Sequence, residues 1–374
     1  MNLSRRRFLG VSAGWAALLL AGCGQAAAPA SPSSSSGSRP AEPASGSASS
    51  SGQPAASAAP SAKVSAPGRT NAVKGAWVAI TANQMLWPLA LEAGYFDKYG
   101  VNFSLQYVQG SLTSVQSLLA GDLQMVEVAG SAVVAAQATK TDLVMTAGFL
   151  NQAVWRIMGV PSIKTVEDLK GKTVAISKVG NADYFAWSIL AQHENWPEDS
   201  FKFVAANNPP GQVALLNHGD AAATAVSPPN DVLAEEKGNA HLVVDETKFN
   251  VPEQQVGMAL LASYLAQNRQ TALNVLKATV EAIHRWKTDA AFAKQVIAKY
   301  LKETDQRYVD SGYSAYAPLF PEEPYPSTEG FAGVIKEVAT QRPSASSVTP
   351  QQCMDTSLVK ELVDSGFIKQ VYGH

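Results

Sequence analysis

Between residues 76 and 261, short apolar runs alternate with stretches of helical apolar spacing, and beyond Ser263 the strand pattern stops. This alternation constrains the fold more than any other feature. The runs 76–80, 101–108, 124–128, 143–149, 173–177, 201–205, 221–226, 242–245 and 257–261 read as strands. Helices are predicted over 85–93, 113–120, 131–139 and 184–194, with Ser131 as a cap and Gly94 and Gly121 as stops. Strands separated by single helices build βαβ units and mostly parallel sheets. In the C-terminal third, Leu273, Leu276, Val280, Ile283 and Trp286 share one helical face, and Phe292, Val296 and Tyr300 continue it in a second helix. Further helices are expected over 329–340 and 355–364, with capping signals at Ser327 and Asp355 and a glycine stop at Gly366.

The first 72 residues follow other rules. Arg5, Arg6 and Arg7 precede an apolar stretch, 8–21, that is too short to span a bilayer, which takes about 20 residues. The stretch ends Leu20-Ala21-Gly22-Cys23, which resembles a bacterial lipobox, and residues 4–9 resemble a twin-arginine export signal. Small residues before the scissile bond admit a peptidase, and the Cys23 thiol takes the lipid. The resemblance therefore implies a leader, 1–22, cleaved before Cys23, and an extracytoplasmic chain held at a membrane by acyl groups. Residues 24–70 are almost wholly Ala, Ser, Pro and Gly, which cannot bury enough surface to offset ordering entropy. Together with Cys23, residues 23–72 are expected to form a disordered tether.

The chain has 374 residues and a net charge of −2, with no basic cluster, which argues against nucleic-acid binding. With Cys23 given to lipid, Cys353 is unpaired and reads as a small buried apolar residue. His193, His218, His241, His284 and His374 show no metal-ligand spacing, and Glu235–Glu236 reads as a charged helix face. No nucleophile elbow or phosphate-binding glycine loop occurs. No catalytic residue, metal or cofactor is expected.

Five motifs in order carry a family resemblance: LALEAGYFDKYGV at 89–101, LLAGDLQ at 118–124, IKTVEDLKGKTVA at 163–175, LLNHGDAAA at 215–223 and LVKELVDSGFI at 358–368. The set resembles substrate-binding proteins of the nitrate/sulfonate/taurine ABC importers, although Gln124 stands at a usually acidic position. Thiamine-pyrimidine synthases share the fold, but their cysteine-rich iron motif and active-site histidine are not found. The resemblance implies a two-lobed α/β fold of the type II periplasmic-binding-protein class. Lobe one would span 73–153 and 256–374, with lobe two over 154–255. It further implies a monomeric receptor that captures a small organic anion or an aromatic or sulfonate-like solute and hands it to permease and ATPase partners. A synthase-like enzyme and a solute-sensing lipoprotein are the alternatives.

In such folds ligands bind beyond the carboxyl ends of the strands. Candidate contacts in lobe one are Thr81, Asn83, Gln84 and Trp87, then Gly110 and Ser111, Gly130 and Ser131, and Phe149 and Asn151. In lobe two they are Gly180, Asn181, Asp183 and Tyr184, then Ser227, Pro228 and Asn230. Free N–H groups at helix starts suit anions, while each Ser or Asn also suits plain capping. Arg156 and Lys178 are the nearby cations.

Overall fold

The computed structural model describes residues 72–374 apart from Glu198. The leader, Cys23 and nearly all of the expected tether lie outside the described residues. The chain opens with β1 (Val73–Trp77), α1 (Leu86–Glu92), α2 (Tyr95–Lys98), β2 (Phe103–Tyr107), α3 (Ser111–Leu119), β3 (Met125–Val128), α4 (Gly130–Gln137) and β4 (Leu143–Gln152). It crosses to β5 (Arg156–Gly159), β6 (Thr173–Ile176), α5 (Ala182–His193), β7 (Lys202–Ala205), α6 (Pro209–His218), β8 (Ala223–Val226), α7 (Asn230–Lys237) and β9 (His241–Asp245). It then returns through β10 (Pro252–Leu261) to α8 (Ala262–Thr288) and α9 (Ala290–Leu301). Five more helices close the chain: α10 (Gln306–Tyr316), α11 (Thr328–Gln341), α12 (Pro350–Cys353), α13 (Ser357–Asp364) and α14 (Phe367–Tyr372).

Two five-stranded sheets result, ordered β2-β1-β3-β10-β4 and β7-β6-β8-β5-β9. In each, the fourth strand runs against its neighbours and the other four share one direction. The sheets thus repeat one topology, and in each the reversed strand arrives directly from the other sheet. The fold class is the two-lobed α/β arrangement that the strand–helix alternation and the family motifs imply. Two short crossings join the sheets and bond to each other, Ala153 N to Val251 O at 3.0 Å and Glu246 N to Trp155 O at 2.9 Å.

Packing explains the local pattern. Gly75 leaves room for Phe103, whose ring tip would lie 2.3 Å from a Cβ at that position. Phe103 stacks on Phe96 at 4.1 Å and meets the edge of Trp87 at 5.3 Å. The predicted face of α8 is buried throughout, from Leu273 to Trp286. Burial of each large side chain there contributes about 1.5–3 kcal/mol. Asn268 breaks the regular turn near the start of α8, with its amide donating to Tyr264 O at 3.1 Å. Cys353 is fully buried among apolar side chains, and burial pushes its thiol up to about 12.

Several elements differ from the sequence expectation. The first strand ends at Trp77, because Val78 N is taken by Gln84 Oε1 at 3.0 Å instead of continuing the ladder. Strand β5 and helix α6 were not predicted; β5 has only four residues, and Pro209-Pro210-Gly211 hides the start of α6. Ser327 caps α11 as expected, through Gly330 N at 2.9 Å. Ser131 caps nothing: α4 already starts at Gly130, and the Ser131 hydroxyl is buried with no partner among the described residues. Asp355 accepts from Ser357 N at 2.8 Å, so its helix starts two residues later than predicted. Gly366, at φ +73°, ends α13, but α14 follows it.

Candidate functional site

The strands that share a direction in each sheet end facing a common cleft of about 680 Å³, counted with its part open to solvent. Its walls come from the turns after β1, β2 and β3 on one side and β6, β7 and β8 on the other, with the crossings at its base. Of the predicted contacts, Thr81, Asn83, Gln84, Gly110, Ser111, Asn181, Asp183 and Ser227 line it. They are separated by up to 146 positions in sequence and meet only because both lobes present their strand ends here.

Local structure fixes each side chain. Residues 82–84 form a single 3-10 turn that carries Asn83 and Gln84 inward. Thr81 Oγ1 donates to Asn83 Oδ1, and Asn83 Nδ2 donates to Gln255 Oε1 at 3.1 Å. Ser111, the first residue of α3, accepts from Ala129 N at 3.2 Å and ties the second turn to the third. Gly110, at φ +83° and ψ 137°, holds a conformation that side chains resist, and it carries no side chain to cap α3. In lobe two, Asp183 accepts from Ser177 Oγ at 2.5 Å and Gln212 Nε2 at 2.6 Å, and also from Ser177 N. Burial raises the Asp183 carboxyl above its usual range, against the lowering effect of those bonds.

The lobes touch across the mouth. Gln109 Nε2 donates to Asn207 O at 2.8 Å, and the Asn181 amide nitrogen lies 3.4 Å from where a Gly110 Cβ would stand. Behind the cleft, Asn230 Nδ2 donates to Ile80 O at 3.1 Å and its Oδ1 accepts from Tyr308 at 3.0 Å. Tyr316 donates to Pro228 O at 2.9 Å. Asn230 is therefore a tie between lobes; it does not line the cleft.

Other predicted contacts also sit elsewhere. Trp87 is fully buried, with its indole donating to Thr279 Oγ1 at 3.2 Å in the core between α1 and α8. Gly130 lies under β10, where a Cβ would meet Gln254 O at 2.7 Å, so the start of α4, Ser131 included, is covered. Phe149 points into the lobe-one core. Asn151 donates to Tyr325 O at 2.9 Å at the far edge of its sheet. Tyr184 packs on Phe185 and Phe203 beside the cleft. Arg156 pairs with Asp231 and lines a different depression, and Lys178 is not part of the cleft wall.

Sequence reasoning missed Tyr107, Trp155, Ser177, Asn208, Gln212 and Gln255, all of which line the cleft. Trp155 belongs to the first crossing and Gln255 to the start of β10, and strand periodicity marks neither as special. Gln212 sits one turn into the unpredicted α6, although Asn208 before Pro209 is a legible cap, accepting from Gly211 N at 2.8 Å. Trp155 closes the base, its indole donating to the buried Glu253 carboxyl at 3.1 Å.

Among the described residues no group of His, Cys, Asp and Glu is placed to hold a metal ion, and no helix is long and apolar enough to cross a membrane. The model of the NMT1/THI5-like family matches residues 83–289. No curated protein matches the chain. Among solved structures, a protein from Bordetella bronchiseptica RB50 is 19% identical at TM-score 0.68, over 82% of this chain and 99% of that one. The periplasmic aliphatic sulphonate binding protein SsuA from Escherichia coli is 18% identical at TM-score 0.63, over 78% and 99%. The periplasmic nitrate-binding protein NrtA from Synechocystis PCC 6803 is 13% identical at TM-score 0.58, over 79% and 88%.

Proposed function

The chain belongs to the NMT1/THI5-like family, and we propose on that premise that it is the extracytoplasmic solute receptor of an ABC importer. It captures one small organic solute between its lobes and hands it to permease and ATPase subunits. Organic anions and aromatic or sulfonate-like solutes are the classes that the sequence resemblance implies. The observation that carries the reading is the cleft itself, lined from both lobes by Gln84, Ser111, Asn181 and Ser227 and bounded by the Tyr107 and Trp155 rings. Polar groups convergent on a mostly apolar concavity are what a small-molecule site requires.

Binding without bond-making fits this lining better than catalysis does. Its one carboxylate, Asp183, is engaged by Ser177 and Gln212. Delivery rests on hinge closure, for which the two crossings supply the axis and the Gln109–Asn207 bond a latch. The lipid on Cys23, outside the described residues, would keep the receptor near its permease.

A thermal-shift screen of the purified full chain over small organic solutes tests the proposal. A saturable rise in melting temperature that shrinks in Asn181→Leu is expected. Turnover of any bound compound, or no rise over the whole panel, would contradict it.

A further inference from the structure

We propose that the cleft takes an electrically neutral solute bearing both a hydrogen-bond donor and an acceptor, and discriminates against bare anions. This rests on the solute-receptor reading and narrows the class of its solute. The first observation is Asn181, more than nine-tenths buried, at the start of α5. The Ser177 hydroxyl has a single proton and gives it to Asp183 Oδ1. Ser177 Oγ must therefore accept from Asn181, which fixes the amide with its nitrogen toward Ser177 at 3.0 Å. Asn181 Oδ1 is left buried with no partner among the described residues. Such an acceptor needs a donor. Sulfonate, nitrate and carboxylate groups have none to give.

Charge points the same way. Among the described residues no Lys, Arg or His lines the cleft, and the acidic side chain that does, Asp183, offers an anion no positive partner. The nearby guanidinium of Arg156 is already paired with Asp231.

The lobe-one wall supplies the complement. Gln84 Oε1 accepts from Val78 N, a group that can only donate, so its NH2 end is the one left for a ligand. The uncapped start of α3 adds a partial positive charge on that side. On the lobe-two side α5 instead carries Asp183 in its first turn, where its oxygens accept from Ser177 and Gln212. A donor-rich wall therefore faces an acceptor-rich one. That arrangement fits a dipolar neutral molecule, its carbonyl-like end toward Gln84 and its N–H or O–H end toward Asn181.

Calorimetric titration of the full chain with isosteric pairs tests this: benzamide against benzoate, and benzenesulfonamide against benzenesulfonate. The neutral member of each pair should bind at least about tenfold tighter, the ratio expected when a buried acceptor goes unpaired. Asn181→Leu should remove most of that preference while leaving the melting temperature of the unliganded chain within a few degrees. Equal or tighter binding of the anions would overturn the inference and leave the receptor reading standing. Silence from all four probes, with no shift in the wider solute screen, would overturn the receptor reading and the inference with it.

Discussion

At the scale of single residues, two tryptophans show what sequence does and does not carry. Trp87 stands in the first turn of α1 just after a strand, as a cleft aromatic would, yet its ring is sealed between Phe103 and Thr279. Trp87→Ala should cost about 3–5 kcal/mol through the cavity it leaves. Trp87→Phe, which keeps most of the volume, should lower stability without changing solute affinity, as denaturant melts and titrations would report. Trp155 lies in a crossing that reads as ordinary chain, yet it closes the base of the cleft. The face a side chain takes after a strand depends on where the backbone leaves the sheet. At β1 that point is set by the Gln84–Val78 hydrogen bond, which no periodicity reveals. For the same reason Thr81, Asn83 and Gln84 were legible as a group, while their neighbour Trp87 was misplaced.

At the scale of elements, the crossings and helix starts carry the testable behaviour. Glu246, Glu253 and Glu337 are buried, the first in the second crossing, the second at the start of β10 and the third on α11. Burial raises all three carboxyls, and mutual repulsion adds to this for Glu246 and Glu337. Burial lifts Glu253 to about 8 against the hydrogen bond from Trp155. An acid whose folded value is raised favours the folded state fully below the unfolded value of about 4.3. That contribution falls away as pH rises toward the folded value. Melting temperature should therefore decline from about pH 5 to pH 8, and Glu253→Gln should flatten the decline; a flat or rising profile in the parent chain would contradict this. Gly110 gives a second test. A side chain there meets an unfavourable backbone conformation costing about 1–3 kcal/mol and crowds Asn181. Gly110→Ala should thus weaken solute binding more than it lowers the melting temperature of the free chain. The helical C-terminal third was readable because its apolar faces repeat over many turns. Short elements such as β5 and α6 carry too few residues to declare a period.

At the scale of the whole molecule, the α/β class was legible because nine apolar runs and their intervening helices leave few other ways to bury both faces of a sheet. The doubling of one topology was not legible, since the two sheets share strand order without sharing sequence. Nor was the contact between lobes, because Gln109–Asn207 and Asn230–Ile80 join residues 98 and 150 positions apart. On the receptor reading those ties would hold a closed form, and bending at the crossings would open it. Asn230→Ala, which removes the ties to Ile80 and Tyr308, should enlarge the radius of gyration of the unliganded chain in small-angle scattering. The central claim is that this closed cleft holds one solute. Native mass spectrometry of the full chain, released gently from its own membranes, measures that directly. The account predicts a single small-molecule adduct at one per chain, lost in a Gln84→Leu/Asn181→Leu variant; a bare chain in the parent, or an adduct unaffected by that variant, would contradict it.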